Sequence, residues 1–562
     1  MKVVPKGLED FTELRKANYY YVDKTGLVSD LLDGSAKVTL FTRPRRFGKT
    51  LNMTMLRDFF SPESDKSVFE GLEILSRRDL CDRFMGQIPV IFISLKDVEG
   101  IGFTNAFSRF KFIISGLASS LFTKEDIQLL NQGEGASLHR LMEGCEDITE
   151  QDITNSLYLF TKTMFLKHNV KPIVIIDEYD VPLAKAHANG YWDEMLSIMR
   201  MFYSIALKSN QFLERAVLTG CLKVARESVF TGLNNLDVLT VNDDISADRF
   251  GFTDAEMHSL LDYFNLSDRW DTFREWYDGY LFGNVEIWCP WDVLSYTAEL
   301  CANTDRKPSS HWVNTSGNDW LYDFISLADQ ATREKIESLM ENGTVPQRIN
   351  YNITYQDLGN SIDDLWSLLY MTGYLTTDGQ NAQGEELLRI PNKAVKLAFE
   401  QDIRSWFDSY MENPTGRELV SLFLEGNPVK LRFLLNRIFS ETISIRDYSG
   451  RGRKENFYHG MLLGLLSATL SPLSELESNQ EAGNGFADIM FHSTEGDVGI
   501  IIELKHADTG EHLEKETILG MQQINDRKYS DRMKRILLPN ATIRKYSIAF
   551  HHKECMVLME EE

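Results

Sequence analysis

The sequence predicts an α/β protein in three parts: a parallel sheet with helices on both faces, a helical lid and connector, and a second α/β domain. Three observations support this order. Short apolar runs such as Ile88–Leu95, Pro172–Ile176 and Ala216–Leu218 alternate with helix-length stretches through the first 240 or so residues, the pattern of buried parallel strands joined by crossover helices. From Phe252 to about Asp408 the texture turns mostly helical with aromatic punctuation. Two strand-like runs then return, Gly485–Phe491 and Val498–Lys505. The expected boundaries are 1–242, 243–410 and 411–562.

The first segment, with aromatics at Tyr19, Tyr20 and Tyr21, leads through a helix-like stretch from Thr25 to Leu32 into the run Val38–Thr42. That run turns sharply at Pro44, reaches Gly48-Lys49-Thr50 and enters a helical pattern from Leu51. Strand, tight turn, Gly-Lys-Thr and helix is the order of a phosphate-binding loop. Backbone N–H groups at the helix N-terminus cradle phosphates, the Lys reaches the outer phosphates, and the Thr hydroxyl ligates Mg²⁺. The common pattern has a Gly five positions before Gly48, where this chain has Arg43.

Next come a strand at Ile88–Leu95, helical stretches at about 104–122 and 153–168, and the run Lys171–Ile176 ending in Asp177-Glu178-Tyr179-Asp180. An apolar strand capped by acids suits a site where the first acid holds Mg²⁺ and the second polarises the attacking water. The plainer alternative is a core strand meeting a solvated loop. After a helix from about Tyr191 to Ser209, the strand Ala216–Gly220 ends at Thr219, where a residue sensing the γ-phosphate belongs; a Thr that merely closes a strand fits the spacing equally. Arg226 follows as the preferred cation for transition-state charge.

Tyr20–Thr25, Arg43–Thr50 and Ile176–Asp180, together with Thr219-Gly220, Phe230–Leu236 and Trp276–Tyr280, resemble the AAA-ATPase-like proteins of gut and oral bacteria. Members commonly carry a C-terminal domain of the PD-(D/E)XK nuclease superfamily. The resemblance implies a P-loop NTPase fold for the first part and a variant loop with Arg at position 43. It also implies ATP and Mg²⁺ as cofactors, bound by Arg43, Pro44, Arg45, Arg46, Phe47, Gly48, Lys49, Thr50, Asp177, Thr219 and Arg226, with Glu178 activating water. Tyr21, Asp23 and Lys24 are expected near the nucleotide.

In the last part, Asp488 opens one strand and Glu503-x-Lys505 lies on the next. Side chains two apart on a strand share a face, so Glu503 and Lys505 point the same way. Beside Asp488 they form a paired-carboxylate site for a divalent metal, with Lys505 orienting water for phosphodiester attack. Glu455, at the start of an apolar helix, and Gln523, on a downstream helix, complete an order that matches PD-(D/E)XK and implies a restriction-endonuclease-like α/β domain. Asp488, Glu503, Lys505, Glu455 and Gln523 are the expected catalytic set, and Asp488 and Glu503 the metal ligands.

Composition bounds these readings. A length of 562 residues allows two to four domains. No apolar run approaches the ~20 residues of a membrane span, and Met1–Lys6 lacks a signal-peptide core. A cytoplasmic location without a membrane partner is therefore expected. The six cysteines lack metal-ligand spacing and read as reduced thiols. A net charge of −24 argues against DNA binding through the general field, leaving local, metal-assisted contact or the basic strips Arg451–Lys454 and Arg527–Arg535, which equally suit solvated helix faces. The expected function is ATP hydrolysis coupled to a Mg²⁺-dependent nuclease-like domain acting on nucleic acid, DNA foremost. The alternatives are a nucleotide-dependent switch or scaffold whose nuclease fold binds a partner, and a remodelling ATPase with a docking domain. Assembly into a homo-oligomer stays open.

Overall fold

The computed structural model describes residues 2–144, 147–222, 235–311, 330–340, 343–351, 362–400, 415–442, 455–467, 476–482, 485–551 and 554–562. The chain divides into two compact units, Met1–Leu327 with Lys335–Phe399, and Ala328–Glu334 with Glu400–Glu562.

The first unit is built on strands β1 (Val38–Thr42), β2 (Val90–Ser94), β3 (Ile173–Asp177), β4 (Arg215–Gly220) and β5 (Leu236–Leu239). All pair in parallel, in the order β2-β3-β4-β1-β5. Every residue of β1 and β3 is buried, which explains why they read as continuous apolar runs rather than alternating ones. Helices Phe103–Leu121, Glu150–His168 and Trp192–Leu207 supply Phe110, Phe160 and Phe202 to one core with Ile91, Val174 and Ala216. The order places β4 between β1 and β3, so the strand carrying Thr219 separates the glycine-lysine loop from the acidic strand end.

The helix Lys49–Phe60 is locked from outside by the first segment. Phe11 N donates to Thr54 Oγ1 (3.1 Å), Thr12 Oγ1 to Asp58 Oδ2 (2.6 Å), and an Arg57 guanidinium nitrogen to Asp10 Oδ2 (2.8 Å).

The stretch expected as a separate helical part is mixed, and through Phe399 it belongs to the same compact unit as the sheet. It contains helices Asp254–Tyr263, Pro290–Ala302 and Ile362–Thr372, but also a hairpin of β6 (Tyr280–Phe282) and β7 (Val285–Ile287). A three-stranded sheet follows, of β8 (Val345–Gln347), β9 (Thr376–Gln380) and β10 (Glu386–Arg389), in the order β8-β10-β9. Thr253 and Glu256 form a complete capping box at Asp254–Tyr263, as Thr-x-x-Glu spacing dictates. Glu256 also receives the ammonium of buried Lys24 at 2.6 Å.

The second unit is a five-stranded sheet in chain order: β11 (Glu477–Ala482), β12 (Gly485–His492), β13 (Val498–His506), β14 (Thr542–His551) and β15 (Glu554–Glu561). β13 and β14 are parallel and the other pairs antiparallel. The parallel pair needs a crossover, supplied by helices Leu513–Asp526 and Ser530–Ile536. Alternate residues of β13 serve different cores. Ile500, Ile502 and Leu504 join helices Thr415–Glu425, Pro428–Thr442 and Glu455–Ser467, whereas Ile501 joins Met521 and Ile524 of the crossover helix. Among the described residues, no helix is long and apolar enough to cross a membrane.

Candidate active sites

At the C-terminal edge of the parallel sheet, Asp177 is fully buried. Its two carboxylate oxygens are held by two hydroxyls: Thr50 Oγ1 donates to Oδ2 at 2.8 Å and Thr219 Oγ1 to Oδ1 at 2.6 Å. The acid, the start of the loop helix and the end of β4 thus meet at one group, at the strand ends where open α/β sheets bind ligands. Glu178 adopts φ 53°, a left-handed conformation uncommon for a non-glycine residue. Burial pushes its carboxyl up and Asp177 adds in the same direction, while Lys49 pulls the other way.

Gly48 takes φ 77° as it enters the helix. The buried Lys49 ammonium turns back onto the loop, donating to the carbonyls of Arg43 (3.1 Å) and Pro44 (2.9 Å), with Cys221 Sγ at 3.5 Å. Asp180 accepts from the backbone N–H of Cys221 (2.9 Å) and Leu222 (3.0 Å), tying the acidic loop to the end of β4. Gly220 makes that approach possible. A Cβ there would lie 2.5 Å from the Tyr179 ring and 2.6 Å from Asp180 Oδ1.

Arg43 turns inward. Its guanidinium is buried in the protein interior, donating to the carbonyls of Thr42 and Leu239 (both 2.9 Å) and Ser246 (3.4 Å), with Phe250 and Phe282 at 5.1 and 5.7 Å. Burial lowers its pKa to about 10, so the charge persists at neutral pH. The side chain braces the loop from behind. Phe47 does likewise, packing on Tyr280 and Phe282 of the β6–β7 hairpin. Arg46, at φ 72°, donates to the His311 carbonyl and lies over Trp291. Pro44 is buried and Arg45 half-buried. Asp23 caps Thr25 and accepts from Glu73 N, and Lys24 serves Glu256 and the Asp248 carbonyl. Arg226 lies outside the described residues.

In the second unit, Glu503 is buried and draws two side chains to one oxygen. Lys505 Nζ donates to Glu503 Oε1 at 2.8 Å, and Gln523 Nε2 donates to the same atom. Asp488 lies at the end of the β12–β13 ladder, whose last pair is Ile489↔Ile502, and its Oδ2 accepts from Leu504 N at 2.8 Å. Asp488, Glu503, Lys505 and Gln523 therefore come together. Glu455 opens the helix Glu455–Ser467, and its side chain lies outside the described residues. So do the strip 451–454 and its contacts.

Sequence reasoning missed several supports of this site. Gln523 Nε2 also donates to Tyr529 Oη (3.2 Å), and His459 Nε2 sits 2.9 Å from the Asp488 carbonyl. A Cβ on Gly520 would lie 2.2 Å from Ser547 Oγ and 3.2 Å from Lys505 Cγ, so this glycine lets the crossover helix come down on the strands. A lone Gly inside a helical pattern was the available signal.

A parallel sheet with a glycine-lysine-threonine loop facing a buried acid, and a second sheet with a clustered Asp, Glu, Lys and Gln, define a nucleotide-hydrolysing protein with a nuclease-like domain. The family comparisons agree: residues 5–230 match the model for a predicted AAA-ATPase, and residues 453–560 that of the PD-(D/E)XK nuclease superfamily. The chain thus carries an AAA-ATPase-like domain and, C-terminal to it, a PD-(D/E)XK superfamily domain. It is similar to an uncharacterized protein in the vnfD 5′ region of Azotobacter chroococcum mcd 1, with 26% identity over 407 residues, 71% of this chain and 69% of that relative. No solved structure matches.

Proposed function

We propose that the protein hydrolyses ATP at the Lys49–Asp177 site and cleaves nucleic acid phosphodiesters, DNA foremost, at the Glu503 site, with nucleotide state controlling cleavage. The observation that carries the reading is the convergence of Lys505 and Gln523 on buried Glu503, with Asp488 on the neighbouring strand.

Thr50 and Asp177 offer the hydroxyl and carboxylate oxygens that suit Mg²⁺, and Lys49 with the helix N-terminus suits phosphates. Asp488 and Glu503 offer a second all-oxygen pair. Bound at these sites, Mg²⁺ supplies charge neutralisation for phosphoryl and phosphodiester oxygens. Glu178, with its raised carboxyl, takes a proton from water. Thr219 holds Asp177 in orientation, and Lys49 leaves its loop carbonyls for phosphate. In the second unit Lys505 donates toward the reacting oxygens, and Gln523 fixes Glu503.

The test is cleavage of labelled single- and double-stranded DNA and RNA with Mg²⁺ or Mn²⁺, with and without ATP, comparing wild type, Glu503→Ala and Lys49→Ala. Cleavage lost in Glu503→Ala and altered in Lys49→Ala supports the reading; cleavage indifferent to Lys49→Ala removes the control by nucleotide. ATP hydrolysis without cleavage of any substrate leaves the switch reading, in which the nuclease fold binds a partner. The net charge of −24 favours that second reading, because it repels DNA at a distance.

A further inference from the structure

We propose that Asp254, Asp278 and Glu286 form a third site, in the lid of the first unit, for an oxygen-ligated divalent cation, Ca²⁺ foremost. One carboxylate oxygen from each residue lies within 4.8 Å of the other two. Oxygens on opposite sides of a bound Ca²⁺ lie about 4.6–5.2 Å apart, twice its ligand distance, and Ca²⁺ tolerates irregular carboxylate geometry where Mg²⁺ demands a tighter octahedron. The three residues come from separate elements: the first residue of helix Asp254–Tyr263, the residue closing helix Trp270–Tyr277, and the middle of β7.

A second observation is independent of that clustering. Asp278 is only 7% exposed, and its Oδ1 has no hydrogen-bond partner. A buried carboxylate oxygen left bare is costly, and native structures rarely keep one without an ion or water to meet it. The local charge points the same way. Arg274 Nε stands 3.6 Å from Asp278 Oδ2, but on a largely exposed side chain. Burial pushes the Asp278 carboxyl up to about 6, Asp254 and Glu286 adding to the rise, while a hydrogen bond from the Gly279 backbone and the Arg274 charge oppose it. Asp254 is held in place by Trp288 Nε1, which donates to its Oδ1 at 2.6 Å.

The site would fasten the turn at Asp278 and the β6–β7 hairpin to the capped helix. The same hairpin presents Tyr280 and Phe282 to Phe47 of the phosphate loop, so cation binding stiffens the wall against which that loop rests.

Trp288 makes the test direct, because an indole beside the site sensitises luminescence of Tb³⁺, a stand-in for Ca²⁺. Full-length, nucleotide-free, chelator-treated protein is titrated with Tb³⁺ and then with Ca²⁺ or Mg²⁺ as competitor. Wild type and the Asp488→Asn/Glu503→Gln double variant should give the same saturable signal, displaced by Ca²⁺ at lower concentration than by Mg²⁺. Glu286→Gln, an exposed change that spares the fold, should raise the Tb³⁺ midpoint at least tenfold. Absence of signal in wild type, an unchanged midpoint in Glu286→Gln, or loss of signal in the double variant would overturn the site. Tighter competition by Mg²⁺ would overturn the choice of Ca²⁺.

Discussion

Asp177 and Glu503 are both buried acids near the C-terminal end of a strand inside a five-stranded sheet, yet their surroundings differ in charge. Asp177 is held by two neutral hydroxyls, and Lys49 donates to loop carbonyls and not to the acid. Glu503 has a lysine on its own strand, 2.8 Å away. A buried charge without a counter-ion costs several kcal/mol. The acid of the first site therefore has charge for a ligand to complete, whereas Glu503 in the second already has a lysine as counter-ion. One strand can supply that balance because residues two apart share a face; a parallel sheet must gather its partners from three elements.

Predictions that break or sharpen this contrast can be ranked by size. Glu178→Gln should lower ATP turnover by about 10²–10⁴-fold, the usual range for a positioned general base, while Glu503→Gln leaves turnover intact; phosphate release reads both. Lys505→Ala strands Glu503 and should cost the second unit about 3–5 kcal/mol, visible in urea unfolding. The paired change Glu503→Gln/Lys505→Met should recover most of that loss. Arg43→Gly, which restores the glycine of the common loop, should destabilise the first unit by about 2–4 kcal/mol through lost packing and cation–π contact and should not tighten ATP binding, as calorimetry would show. Gly520→Ala should cost about 1–3 kcal/mol by overpacking against Ser547 and weaken cleavage more than ATP turnover.

The smallest effect concerns pH. Burial alone would raise the Asp152 carboxyl, but Arg140, Ser137 and Thr149 outweigh it and hold it at about 2. Its folded pKa lies below the unfolded value, so its contribution is present above about pH 4 and fades as pH falls toward 2. After screening, Asp152→Asn should cost about 1–2 kcal/mol at pH 5, and the gap to wild type should close by pH 2 in denaturant titrations.

What the sequence made legible was chemistry carried by neighbours in the chain. An apolar run ending in Asp177, a Gly-Lys-Thr entering a helix, and Glu503-x-Lys505 on one strand are local patterns, and the structure places those residues on the elements expected. The contacts of Arg43 were not legible, because its partners Leu239 and Ser246 are 196 and 203 residues away, beyond any local pattern. Within the mostly helical middle part, the strands β6, β7 and β8 have three residues each, too short to show a period in the sequence. The partner of Lys24 is equally hidden from local pattern: a buried ammonium needs a carboxylate, and Glu256, 232 positions on, supplies it.

The Lys24–Glu256 pair also sets a clock. The two residues are 232 positions apart, and the helix that bears Glu256 cannot exist until its own residues have been made. At synthesis rates of about 5–20 residues per second, Lys24 waits on the order of 10–50 seconds for its partner. Throughout that interval the opening segment, and the outer face of the loop helix it covers, depend on contacts made closer by, chief among them Phe11 with Thr54 and Thr12 with Asp58. This segment is finished only after more than two hundred further residues have been made.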